Sequence, residues 1–184
     1  MKILGISGSL RKGSYNTRLL ELCRELLPER IAFEIYHCGG LPFYEQSLDG
    51  AKKPTAVIEL LELVRNADAL LFATPEYNYS IPGNLKNAID WVSRPAYNSL
   101  LKDRPATIVS ASMSGFGGLR AQQHLRQILG ATLTPLYPAP DFLLPLAQNL
   151  FPEDGTIRDS TLEERLSAFL NGFISWAERQ GSAA

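Results

Sequence analysis

The stretch Met1-Lys2-Ile3-Leu4-Gly5-Ile6-Ser7-Gly8-Ser9-Leu10-Arg11-Lys12-Gly13-Ser14-Tyr15-Asn16-Thr17 frames the whole chain. Residues 3–6 form an apolar run short enough for one buried strand. A loop of glycines and hydroxyl residues follows. Beyond it Leu19, Leu22, Cys23 and Leu26 recur at i, i+3, i+4, i+7, the spacing of one helix face. Strand, glycine-rich loop and helix make the opening unit of an α/β chain.

The same alternation continues to the far end. Residues 32–36, 69–73 and 107–109 read as strands two to four, and a fifth is expected within residues 132–137, where Pro135 weakens the pattern. Val57, Leu60, Leu61 and Val64 mark a second helix. Leu85, Ala88, Ile89 and Val92 mark a third, and Ala121, Leu125, Ile128 and Leu129 a fourth. A last helix carries Leu162, Leu166, Phe169, Leu170, Phe173 and Ile174, with Asp159, Ser160 or Thr161 as its N-cap. Residues 135–145 and the Ser-Ala-Ala tail read as irregular. Apolar strands alternating with helices argue for a doubly wound parallel sheet covered on both faces. In such folds ligands bind outside the carboxyl ends of the strands, where strand order reverses. The loops after strands one, three and four therefore matter most.

Composition narrows the function. The 184 residues suit one domain spanning 1–184, and 45% apolar content is ordinary for a globular core. Eighteen Lys and Arg against nineteen Asp and Glu leave neither the basic excess of a nucleic-acid binder nor an acidic electron-carrier surface. Cys23 and Cys38 are the only cysteines, without CxxC or metal-ligand spacing, and read as buried thiols of a reducing compartment. The start of the chain is too glycine-broken for a signal sequence, and no apolar run approaches the ~20 residues of a membrane helix. A cytoplasmic protein with no membrane or nucleic-acid partner is expected.

In the first loop Ser9, Ser14 and Thr17 offer hydroxyls, Asn16 an amide and Arg11 a fixed charge, all ahead of a helix N-terminus. That donor set suits a phosphate. Gly5, Gly8 and Gly13 lack the spacing of a dinucleotide fingerprint, and Ser14 stands where a P-loop has Lys, so a monophosphate fits better. The loop after strand three, from Thr74-Pro75-Glu76-Tyr77-Asn78-Tyr79-Ser80-Ile81-Pro82-Gly83 into Asn84-Leu85-Lys86-Asn87-Ala88-Ile89-Asp90-Trp91, is the most specific segment. Its prolines stiffen an aromatic turn, Tyr77 can lie against a planar ring, and backbone amides near Glu76–Asn78 can meet ring heteroatoms. Trp91 follows the apolar stripe and reads as an exposed contact residue.

Together, Gly-Ser-Leu-Arg-x-Gly-Ser-x-Asn at 8–16 and Pro-Glu-Tyr-Asn-x-Ser-x-Pro-Gly-x-Leu-Lys-Asn-Ala-Ile-Asp-Trp at 75–91 resemble the NADPH-dependent FMN reductase family, most of all its bacterial quinone and chromate reductases. The resemblance runs from Met1 to about Leu129. It implies a flavodoxin-like five-stranded sheet in the order 2-1-3-4-5. By motif match, Ser9, Arg11, Ser14, Asn16 and Thr17 would hold the FMN phosphate, and Pro75, Glu76, Tyr77 and Asn78 would line the isoalloxazine. Ser112, Gly115 and Gly117, in the glycine-rich loop after strand four, would approach the flavin and ribityl chain. Relatives use the following helix, with Arg120, Gln123 and His124, for subunit contacts, and some have Tyr where this chain has Gln123.

The activity implied is ping-pong hydride transfer from NADPH or NADH, through FMN, to quinones, chromate, azo compounds or ferric chelates, by a homodimer or homotetramer. No catalytic side chain or metal is needed, because the cofactor carries the chemistry. His37 beside Cys38 imitates a base and nucleophile, but a strand-end packing pair is the better reading. Asp68 and Asp90 read as helix-end or surface carboxylates. Three alternatives stand beside this one: an electron carrier serving a protein partner, a flavin-free binding module, and a reductase that releases reduced FMN.

Overall fold

Five parallel strands stand in the order β2-β1-β3-β4-β5, the expected flavodoxin-like arrangement. They are β1 (Lys2–Ser7), β2 (Ala32–His37), β3 (Ala69–Ala73), β4 (Ala106–Ala111) and β5 (Phe142–Leu144). The long helices are α1 (Tyr15–Leu26), α2 (Thr55–Arg65), α3 (Gly83–Val92), α4 (Leu119–Ala131) and α5 (Ser160–Gly181). This computed structural model describes residues 1–151 and 159–181, so the tail expected to be irregular lies outside the described residues.

The period-two alternation of strand side chains sorts the core into two layers. Ile3, Leu71 and Val109 face α1 and α5, where Leu19, Cys23, Leu166, Leu170 and Phe173 are buried. Leu4, Ile6, Phe72 and Ile108 face α2, α3 and α4, where Leu60, Leu85, Ile89 and Leu125 are buried. β3 and β4 are buried along their whole length, whereas the edge strand β2 is only partly covered. Among the described residues no helix is long and apolar enough to cross a membrane.

Two expectations change, for the fifth strand and for Trp91, and the cap of the last helix narrows to one of its three candidates. The fifth strand lies at Phe142–Leu144, inside the stretch read as irregular, and not within 132–137. Pro135 has no N–H to donate. Its carbonyl accepts from Ala106, and Leu136 makes only an isolated bridge before Pro138 and Pro140 carry the chain on. Regular pairing resumes at Val109 with Phe142. At α5, Asp159 is the capping residue, its Oδ1 accepting from the Leu162 N–H at 3.0 Å.

Trp91, expected to be exposed, is fully buried. Its indole N–H donates to the Pro42 carbonyl at 2.8 Å, and the Tyr44 ring meets it edge-on at 5.0 Å. Asn87, one helical turn earlier, donates to the same carbonyl and accepts from the Tyr44 N–H. Thus α3 has two buried faces, one on the sheet and one on the loop after β2.

Candidate functional site

The carboxyl ends of β1, β3 and β4 bring three loops together. The first is anchored by the Gly8 N–H on the Ala73 carbonyl at 2.9 Å and by the Asn84 amide on the Gly8 carbonyl at 3.0 Å. A side chain at Gly8 would meet Leu85 at 3.0 Å, so the loop enters close over α3. Ser14 caps α1, its hydroxyl accepting from the Thr17 N–H. Ser9 and Ser14 are buried, while Arg11 is exposed with its guanidinium 5.5 Å from the Tyr15 ring. Among the described residues no carboxylate pairs with Arg11, so its charge is available to an anion.

Asn16 turns inward. Its Nδ2 donates to the Ala111 carbonyl at 2.8 Å, and its Oδ1 accepts from the Ala111 N–H at 2.9 Å. This pair of hydrogen bonds between α1 and the end of β4 fixes the first loop against the third. Thr17 is likewise engaged, its hydroxyl 3.1 Å from that of Ser7.

After β3 the chain makes a two-residue turn. Tyr77 and Ser80 exchange both backbone bonds, and Asn78 and Tyr79 sit at positive φ of 48° and 67°, the signs of a type I′ turn. The Tyr77 amide, expected to face a ligand, is therefore occupied. The amides of Glu76 and Asn78 donate to no described residue. Glu76 instead reaches the loop after β4, accepting from the Arg120 backbone N–H at 3.0 Å and pairing with its guanidinium at 3.2 Å. That guanidinium lies 4.1 Å from the Tyr79 ring centre and 4.5 Å from that of Phe116.

The third loop is tied to β5. The Ser112 N–H donates to the Leu144 carbonyl, and the buried Ser110 hydroxyl donates to the Gly117 carbonyl at 2.6 Å. Gly118, at φ 88°, leaves no room for a side chain, because an added Cβ would lie 2.9 Å from the Ser110 side chain.

A cleft of about 190 Å³ lies between these loops. Ser9, Arg11, Ser14, Tyr15 and Asn16 form one end, Pro75, Glu76 and Tyr77 one wall, and Ala111, Ser112 and Met113 the other. A family model for NADPH-dependent FMN reductases matches residues 1–149. The chain belongs to that family. It is similar to an NAD(P)H-dependent FMN reductase of Pseudomonas aeruginosa, 42% identical over 181 residues, which span 97% of this chain and 96% of the other. A quinone reductase of Pseudomonas putida is 38% identical over 173 residues, 94% and 92% of the two chains. Among solved structures, FerB of Paracoccus denitrificans, a flavoenzyme NAD(P)H:(acceptor) oxidoreductase, superposes with TM-score 0.89 at 33% identity, covering 97% and 98%.

As an NADPH-dependent FMN reductase family member, this chain is an oxidoreductase that works with FMN and an NAD(P)H donor. The donor set fits that cofactor. Two serine hydroxyls, an unpaired guanidinium and a capped helix N-terminus suit a phosphate. Pro75, Tyr77 and Met113 offer apolar surface to a planar ring. Eight of the twelve residues singled out from sequence line the cleft: Ser9, Arg11, Ser14, Asn16, Pro75, Glu76, Tyr77 and Ser112. Thr17, Asn78, Gly115 and Gly117 do not line it. Tyr15 and Met113 do, unforeseen, although both lie inside the loops already marked. Arg120, read as a subunit contact, is the partner of Glu76.

The remaining polar candidates stand apart. Cys38 is buried and its thiol is pushed up to about 12, so His37 has no nucleophile to activate. Asp68 accepts from the Lys2 N–H, and Asp90 pairs with Lys86.

Proposed function

We propose that this reductase holds one FMN per chain in the cleft at the carboxyl ends of β1, β3 and β4 and passes reducing equivalents from NAD(P)H to quinones. One observation carries this reading: a phosphate-suited end and a ring-suited wall meet in the same cleft, built by three loops. Ser9, Arg11 and Ser14 bind the phosphate. Asn16 and Thr17 hold the loop that presents those donors. Pro75, Glu76 and Tyr77 bound the ring on one side, with Asn78 shaping their turn; Ser112, backed by the Gly115–Gly117 turn, bounds it on the other. Bound there, FMN supplies hydride and electron transfer between donor and acceptor.

Tyr77 is half exposed and Tyr79, Phe116 and Met113 are exposed around the mouth, leaving an open apolar side for both substrates. Donor and acceptor use that side in turn, a ping-pong order. Quinones are the favoured acceptors because named relatives are quinone reductases. Chromate, azo compounds and ferric chelates follow as smaller or planar oxidants able to reach the same opening.

The exposure of Phe43 and Tyr97 supports a homodimer or homotetramer. Two unpaired, buried thiols fit a cytoplasmic setting, and the whole of 1–184 acts as one domain. The test is steady-state oxidation of NADPH and NADH by the purified protein with a benzoquinone acceptor. Parallel lines in double-reciprocal plots are expected. Turnover only with an added protein partner would favour an electron carrier instead.

A further inference from the structure

Beside the flavin cleft, and sharing Ser9, Arg11 and Ser14 with it, a second hollow opens between the first loop, the start of α1 and the end of β2. Its volume is about 380 Å³, larger than the 190 Å³ of the flavin cleft. That places it within the roughly 300–1,000 Å³ of small-ligand sites.

The two hollows differ in charge. The flavin cleft sets Arg11 against Glu76, whereas the described lining of the second holds Arg11, Lys12, Arg18 and His37 with one carboxylate, Glu21. Among the described residues neither the Lys12 ammonium nor the His37 ring has a hydrogen-bond or ion-pair partner. Arg18 is fixed in the wall, donating to the Phe151 carbonyl at 3.1 Å. Leu10, 59% exposed, gives the hollow an apolar face.

A flavin mononucleotide ends at its 5′-phosphate. In a flavin dinucleotide that phosphate continues into a second phosphate, a ribose and an adenine. The continuation would begin at the residues the two hollows share. We infer that the second hollow receives the adenylate half of FAD, so that the chain binds FAD as well as FMN. The inference rests on the reading that Ser9, Arg11 and Ser14 hold the flavin phosphate. Arg11, which lines both hollows, lies between the two phosphates, and Lys12 and His37 meet the second one. Glu21 accepts from the adenosine ribose, as acidic residues do in dinucleotide sites. Leu10 supports a purine face.

The test is calorimetric titration of the flavin-free full chain with FMN, FAD and riboflavin, in the parent, Lys12→Ala/His37→Ala and Lys12→Glu. Thermal melts confirm folding of each variant, and both positions, Lys12 and His37, are exposed. The parent is expected to bind FAD within about tenfold of FMN. A partly exposed charge contact contributes up to about fivefold in affinity. The double variant should therefore lose about fivefold or more for FAD and less than twofold for FMN, with Lys12→Glu losing more for FAD.

FMN binding with FAD more than a hundredfold weaker overturns the inference and leaves the FMN site standing. So does an equal loss for both flavins, which would assign Lys12 and His37 to the shared phosphate. A higher KM for NADPH relative to NADH with unchanged FAD affinity would give the hollow to the donor and also overturn it. Failure to bind either flavin overturns the inference and the flavin site together.

Discussion

Replacing Asn16 tests how the site is held together. Its side-chain amide is buried and makes a two-way contact with the Ala111 backbone, donating at 2.8 Å and accepting at 2.9 Å. Asn16→Ala leaves the Ala111 N–H and C=O at the end of β4 with no side-chain partner. A buried polar group left unpaired costs about 1–3 kcal/mol. With two groups exposed to such loss and the neighbouring cleft able to admit water, a destabilisation of about 2–4 kcal/mol is expected. Urea unfolding of the flavin-free protein reads it as a lower midpoint at unchanged slope. FMN affinity should fall as well, because the first and third loops lose their tie. Asn16→Asp keeps the acceptor for the Ala111 N–H but turns a carboxylate toward the Ala111 carbonyl. A buried carboxylate so placed has its pKa raised. Its stability deficit at pH 7 should therefore shrink as pH falls and the carboxyl becomes a donor. A loss below about 0.5 kcal/mol in Asn16→Ala, the range of an ordinary surface change, would refute the clamp.

Other perturbations give separate readings. Gly118→Ala forces a side chain into φ 88° and against Ser110 at 2.9 Å; a loss of about 2 kcal/mol or more by denaturation is expected, and a neutral change would contradict the described turn. Trp91→Phe removes the indole bond to Pro42 and should cost about 1 kcal/mol while speeding proteolysis near residues 42–44. Unaltered cleavage would count against the pinned loop. The two thiols should resist Ellman's reagent in the native protein and react fully in denaturant. Burial raises Cys38 from an ordinary 9.0 to about 12, so the unfolded chain ionises first. Stability should then fall as pH rises above about 9, by up to ~1.4 kcal/mol per pH unit per thiol, and Cys38→Ala should flatten that fall.

The alternation of strands and helices over both faces of the sheet was legible because β1, β3 and β4 read as apolar runs and the helix stripes keep a clean 3.6-residue period, whereas the strand order was implied only by the family resemblance of the motifs at 8–16 and 75–91. β5 was not legible. Only Phe142–Leu144 pair regularly, flanked by Pro140 and Pro145, and nothing in so short a run separates it from a loop. At the site, sequence marked three loops that the fold brings together around one cleft, but not the direction each polar side chain takes. Asn16 reads as a phosphate ligand from its place beside Ser14, yet helix geometry turns it inward to Ala111. Trp91 reads as exposed because it trails the apolar stripe. Its burial depends on the loop after β2, more than forty residues away in the chain. Arg120 meets Glu76 only because parallel strands bring their loops side by side. Such pairings follow from strand order, which local sequence patterns do not encode.

The most direct test of the flavin site is a comparative calorimetric titration of FMN and riboflavin into the parent protein and Arg11→Ala. Arg11 is an exposed guanidinium of the first loop that lines the cleft and pairs with no carboxylate among the described residues, and charge-assisted hydrogen bonds contribute about 1.5–3 kcal/mol. The parent should bind one FMN per chain and hold riboflavin far more weakly. Arg11→Ala should bind FMN about ten- to a hundredfold more weakly, with riboflavin unchanged. Comparable dissociation constants for the two flavins in the parent, or an FMN affinity indifferent to Arg11→Ala, would contradict the placement of the phosphate.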